Sequence, residues 1–123
     1  MTDASALPTD APQTPAPLSA VNDAFRRALG HKAGLPGKFV MTAGIAALGD
    51  NVVYEVIRKV CAFDSFSEDN DPEGDHSFGA FEHDGVSIFW KIDYFADAAC
   101  DYGAEDPGTR CFRVLTVLRA DEW

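Results

Sequence analysis

Ser77-Phe78-Gly79-Ala80-Phe81-Glu82 and Val86-Ser87-Ile88-Phe89-Trp90-Lys91-Ile92-Asp93-Tyr94-Phe95 flank the tripeptide His83-Asp84-Gly85. An Asp-Gly pair between two alternating segments predicts a β-hairpin, because the favoured tight turn needs positive φ at both central positions. Strand side chains alternate between faces. The second arm therefore puts Val86, Ile88, Trp90, Ile92 and Tyr94 on a core face. Ser87, Phe89, Lys91, Asp93 and Phe95 share a mixed face, on which Lys91 and Asp93 suit a same-face ion pair.

Outward from the hairpin the same periodicities continue. Arg110 to Ala120 reads as a last strand, whose near-continuous apolar run from Val114 to Leu118 suits a central strand covered on both faces. Lys38 to Ala43 alternates and reads as a first strand ending near Gly44. Between them, Asp50 is placed to cap a helix over Asn51 to Phe63, with an apolar stripe of Val53, Val56, Ile57, Val60 and Phe63. Glu55 and Lys59 stand four apart, in the favoured order, on its wet face. Ser19 is a candidate cap for an earlier helix, Ala20 to Leu29, stopped by Gly30. Residues 1–18 hold four prolines among Thr, Ala and Ser and read as a disordered tail. The expected architecture is α+β: residues 19–123 as a single domain, with a small antiparallel sheet of about four strands packed by two helices.

The chain has 123 residues, 46% of them hydrophobic, which is enough for one core. Three well-separated cysteines without C-x-x-C spacing exclude a disulfide scaffold and give no metal or redox motif. They read as reduced thiols in a cytoplasmic protein, since the N-terminus carries neither the basic nor the apolar region of a secretion signal. No stretch approaches the roughly 20 apolar residues of a membrane span.

The formal net charge is -10, and its distribution is uneven. Residues 64–106 hold 13 acids and a single base, Lys91, and most of the acids fall in two loops, Asp64 to Asp75 and Asp93 to Asp106. A direct nucleic-acid binder needs the opposite sign. Loops attached to neighbouring strands can project from one end of a sheet, and such a concentration of like charge repels itself unless a cation or a basic partner offsets it.

Three chemistries suit these loops. Asp69-Asn70-Asp71-Pro72-Glu73-Gly74 resembles the opening of a calcium loop, but its twelfth position is Ala80, where a bidentate acid is needed. Paired carboxylates could work with His76 or His83 as acid–base partner and Lys91 or Arg113 as electrophile. Yet nucleophile-elbow, zinc-helix and phosphate-loop motifs are missing, and the histidines read equally as a loop-to-strand junction (His76) and a turn residue (His83). The favoured chemistry is protein binding through charge, because spaced carboxylates imitate a phosphate backbone toward a partner's Lys and Arg. The residues expected to meet such a partner are Glu68, Asp69, Asn70, Asp71, Glu73, Asp75, Asp101, Glu105 and Asp106. No catalytic residue, metal ligand or cofactor is assigned.

Six stretches carry a family resemblance: Asn22-Asp23-x-Phe25-Arg26; Thr42-Ala43-Gly44-Ile45; Phe63-x-x-Phe66-x-Glu68-Asp69-Asn70-Asp71-Pro72 running to His76-x-Phe78-Gly79; Phe89-Trp90-Lys91-Ile92-Asp93-Tyr94; Gly103-x-Glu105-Asp106-Pro107; and Arg113-Val114-Leu115-Thr116. Together, over about residues 20–123, the chain resembles the bacterial family called domain of unknown function 3768. The resemblance supplies no catalytic residues. It implies a setting, small proteins of plasmids and other mobile elements, and so an expected role in countering host defence by nucleic-acid mimicry, of an anti-restriction or anti-CRISPR type. The alternative expectation is a small metal-dependent or carboxylate/His hydrolase using the same acidic loops.

Overall fold

The computed structural model describes residues 17–30, 34–104 and 107–123. The elements are α1 (Leu18–Arg27), β1 (Gly37–Met41), α2 (Ala43–Ala46), α3 (Asp50–Ala62), β2 (Phe78–His83), β3 (Val86–Phe95) and β4 (Phe112–Arg119), followed by a 3-10 turn at Ala120–Glu122. The four strands form one sheet in the order β1-β4-β3-β2, an α+β architecture.

The sheet departs from the all-antiparallel expectation at one pairing. β2–β3 and β3–β4 are antiparallel, but β1 runs parallel to β4, with Phe39 opposite Leu115 and Met41 opposite Val117. The reason lies in α3, which carries the chain back across the sheet so that β2 starts from the same end as β1. The β2-β3-β4 meander then reverses twice and leaves β4 pointing along β1. Counting hairpins alone misses the reversal made by the helix.

Asp84 and Gly85 form the two-residue turn with φ of 51° and 80°, and His83 pairs with Val86. His83 is therefore the last residue of β2, not a turn residue, and it is buried. Three boundaries move for local reasons. α1 starts at Leu18, inside the expected tail, because Pro17, fixed at φ -57° with an extended ψ of 146°, precedes the first turn and its carbonyl accepts from Ala20 and Val21. β1 stops at Met41 because the Thr42 side chain accepts from Ile45 N–H and opens α2, a helix the sequence analysis did not anticipate. α3 is entered through Gly49 at φ 96°, and Asp50 is its first residue. Residues 1–16, the bulk of the expected tail, lie outside the described residues.

All three helices cover one sheet face. Phe25 from α1, Ile45 from α2 and Val56 and Val60 from α3 pack on Ile88, Trp90, Ile92, Leu115 and Val117. At the close approach of β2 to this layer only hydrogen fits: a Cβ on Gly79 would fall within 2.2–2.7 Å of the Trp90 indole. On the other face Trp123 sits edge-on to Phe78 and Phe89 at 5.7 Å. The expected Lys91–Asp93 pair forms there at 3.0 Å. Among the described residues no helix is long and apolar enough to cross a membrane.

Candidate functional site

Both acidic loops leave the same end of the sheet. The loop 64–77 runs from α3 into the start of β2, and the loop 96–111 joins the end of β3 to the start of β4; Phe78 pairs with Lys91 and Phe95 with Phe112. The convergence follows from the topology above, because β2 and β4 start where β3 ends.

Beneath this end lies a polar layer that charge counting does not reveal. Arg26, fully buried, donates through Nε to Val60 O at 2.9 Å and through one terminal nitrogen to Phe63 O at 2.8 Å. It thereby satisfies two carbonyls at the C-terminus of α3, where a cation also suits the helix dipole. Its guanidinium lies 4.8 Å from the Trp90 ring centroid, so a single side chain ties α1 to α3 and to the sheet. Its other terminal nitrogen donates to Asp23 Oδ1 at 2.9 Å.

Asp23 in turn reaches the first loop. His76 Nδ1 lies 3.0 Å from both Asp23 oxygens. With only carboxylate acceptors there, Nδ1 carries the proton and donates. The ring stacks on Phe66 at 3.7 Å with the planes 4° apart, and its Nε2 points to Asp71 Oδ2 at 3.7 Å. Burial pushes the Asp23 carboxyl up, but hydrogen bonds from Arg26 and His76, together with their charges, outweigh that and hold it below the ordinary carboxylate value. His76 itself takes a left-handed φ of 57°, which aims the ring back under the loop.

A second relay binds both loops together. Asn22, fully buried, donates from Nδ2 to the Asp75 carbonyl at 2.9 Å and to Tyr94 Oη at 2.7 Å, and its Oδ1 accepts from Arg113 Nε at 2.8 Å. Arg113, also fully buried, donates onward to the Gly108 carbonyl and to Cys111 Sγ at 3.3 Å. Asp75 belongs to the first loop and Gly108 to the second, so one buried Asn–Arg pair holds the two acidic connectors in fixed relation. Burial raises the Tyr94 hydroxyl above its ordinary value, and the Asn22 hydrogen bond only partly offsets this.

The expected contact residues divide on this frame. Glu68, Asp69, Glu73 and Asp101 are exposed. Asn70, although exposed, commits its side chain within the loop, accepting from Ser67 N–H at 2.9 Å and donating to Ser65 O at 3.0 Å. Asp71 accepts from His76 N–H, with its side chain only 7% exposed, and Asp75 accepts from Ser77 Oγ at 3.0 Å. These three shape the loop. Asp71, the third position of the calcium-like opening, thereby commits one of the oxygens a calcium loop would need. Glu105 and Asp106 lie outside the described residues. The loop leaves an open hollow lined by Phe66, Ser67, Glu68, Asp71, Glu73 and His76.

Sequence reasoning missed the parts that link the loops. Asn22, Asp23 and Arg26 look like an ordinary helix face, and Arg113 reads only as an electrophile or as one residue of a strand. The one available signal was position: Arg113 shares its strand face with Leu115 and Val117, and Asn22 and Arg26 alternate with Val21 and Phe25 on the apolar side of α1. A polar residue on a core face must find a partner.

No curated protein and no solved structure matches this chain. The family described as Protein of unknown function (DUF3768) matches residues 41–122, which takes in both acidic loops and strands β2, β3 and β4, and the chain belongs to that family.

Proposed function

We propose that the acidic end of the sheet is a non-catalytic docking surface for a basic protein. The observation that carries this reading is the Asn22–Arg113 relay. It fixes the loop bearing Glu68, Asp69 and Glu73 to the loop bearing Asp101, so the carboxylates stand on a rigid base. Rigidity matters because a pre-organised charge array gives up less entropy on binding than a mobile one. The partner is a basic surface such as that of a nucleic-acid-handling protein, and the role is mimicry of nucleic acid in countering host defence on a mobile element. A cytoplasmic location is consistent with Cys61, Cys100 and Cys111, all free thiols.

Capture from a host lysate tests this with paired variants. The wild-type chain is compared with E68Q/D69N/E73Q and with E82Q/D121N, which removes acids away from the loops. Basic proteins retained at low salt, released by high salt and lost only with the loop variant support the reading. Equal retention by all three chains, or recovery of no basic protein, overturns it.

One observation favours a second reading. Asp23 holds His76 through Nδ1 and leaves its Nε2 beside Asp71 at the hollow, the arrangement of a carboxylate–His pair. A hydrolase built this way would lose activity on H76A alone, whereas an electrostatic surface would not.

A further inference from the structure

Away from the acidic end, the β2–β3 turn folds against α3. His83 closes β2 on the helix-covered face, with its side chain 8% exposed. Its Nε2 lies 2.9 Å from Glu55 Oε1 and 3.5 Å from Asp84 Oδ2, yet among the described residues no partner meets this buried nitrogen with hydrogen-bond alignment. One donor atom from each of the three residues falls within 4.8 Å of the others. On the far side of the ring, Lys59 Nζ lies 2.9 Å from Nδ1.

An ammonium can only donate, so Nδ1 accepts and the ring proton sits on Nε2. That single proton faces two carboxylates and satisfies neither well. A doubly charged cation would meet all three groups at once. We propose that Glu55, His83 and Asp84 form a binding site for a divalent first-row transition metal of the zinc type, with water completing the shell. One imidazole with two carboxylates is a donor set of that class. Calcium and magnesium prefer oxygen-only shells, so the imidazole selects against them.

The ring's proton accounting assigns Lys59 a role. A metal takes the Nε2 lone pair, so the proton moves to Nδ1, which then no longer accepts from Lys59. The ammonium must withdraw to solvent, where Lys59 already lies exposed at the helix surface. Lys59 is thus an antagonist of the site, both through its hydrogen bond and through its charge beside the metal.

The test is titration of the full chain with Zn²⁺ alone, read by calorimetry and by competition with a chromophoric chelator. One equivalent should bind, shifting the His83 ring resonances, and Ca²⁺ and Mg²⁺ should bind more weakly. Glu55 and Asp84 are 54% and 80% exposed at their side chains, so E55A and D84N should keep the fold, checked by circular dichroism. Asn also tolerates the left-handed turn position. Each should weaken binding about tenfold or more, E68Q/D69N/E73Q should leave it unchanged, and K59M should tighten it about tenfold. No stoichiometric binding at micromolar Zn²⁺, binding insensitive to E55A and D84N, binding lost with the loop variant, or K59M that fails to tighten it would each overturn the proposal.

Discussion

Replacing Asn22 with Ala probes the joint between the two acidic loops. The change removes three hydrogen bonds at a fully buried position: to the Asp75 carbonyl, to Tyr94 Oη and from Arg113 Nε. The first two are ordinary bonds, each worth about 0.5–1.5 kcal/mol net, while the third involves a charged group and is worth about 1.5–3 kcal/mol. Arg113 is the severe case, because a buried guanidinium that loses a partner keeps its desolvation cost. Allowing for partial relaxation, the loss should be about 3–5 kcal/mol, a large share of the roughly 5–15 kcal/mol that stabilises an ordinary domain. Urea unfolding followed by tryptophan fluorescence measures it. With a slope of about 1–2 kcal/mol/M, the midpoint should fall by about 1.5–5 M at unchanged slope. The Y94F variant removes one acceptor alone and should cost only about 1 kcal/mol. Amide exchange supplies the sharper readout, since N22A should raise exchange in both the 64–77 and the 96–111 loops. A cost below about 1 kcal/mol, or faster exchange in one loop alone, would refute the claim that Asn22 and Arg113 couple the loops.

Three further expectations concern single contacts. Gly79→Ala drives a methyl into the Trp90 indole and should cost about 1–3 kcal/mol, read as a lower Tm with altered tryptophan emission as the ring shifts from Arg26. Because the Asp23 carboxyl is held below its unfolded value of 3.8, its stabilising contribution is complete above that value and is lost as pH falls through the lower folded value. D23N should therefore be less stable than wild type at neutral pH, with the difference shrinking in acid below about pH 4, as measured by urea unfolding across pH. Glu122, whose carboxylate accepts from Thr42 Oγ1, Gly44 N–H and Arg119 N–H, closes the C-terminus onto α2. The Thr42 hydrogen bond is the main reason its carboxyl lies below the usual value, so E122Q should leave neutral-pH folding intact but loosen amide protection at Gly44 and Ile45.

The elements and the hairpin were legible because their signals are local. Alternation along Val86–Phe95, helical spacing along Asn51 to Phe63 and the Asp84-Gly85 turn each depend on residues a few positions apart; the structure places the strand and the turn as read and moves the helix by one residue, to Asp50–Ala62. The concentration of acids in two loops was legible by counting. Their departure from one end of the sheet needed the topology, which depends on how α3 returns the chain.

The sequence by itself determined the strands, the long helices, the tight turn and the location of the charge, since steric preference and side-chain periodicity act between near neighbours. Only the tertiary structure decided that β1 lies parallel to β4, that Asn22 meets Arg113 across 91 positions, and that Glu55 and Asp84 converge on His83. A buried polar group must find its partner wherever the packed chain brings one, and sequence separation says nothing about that distance.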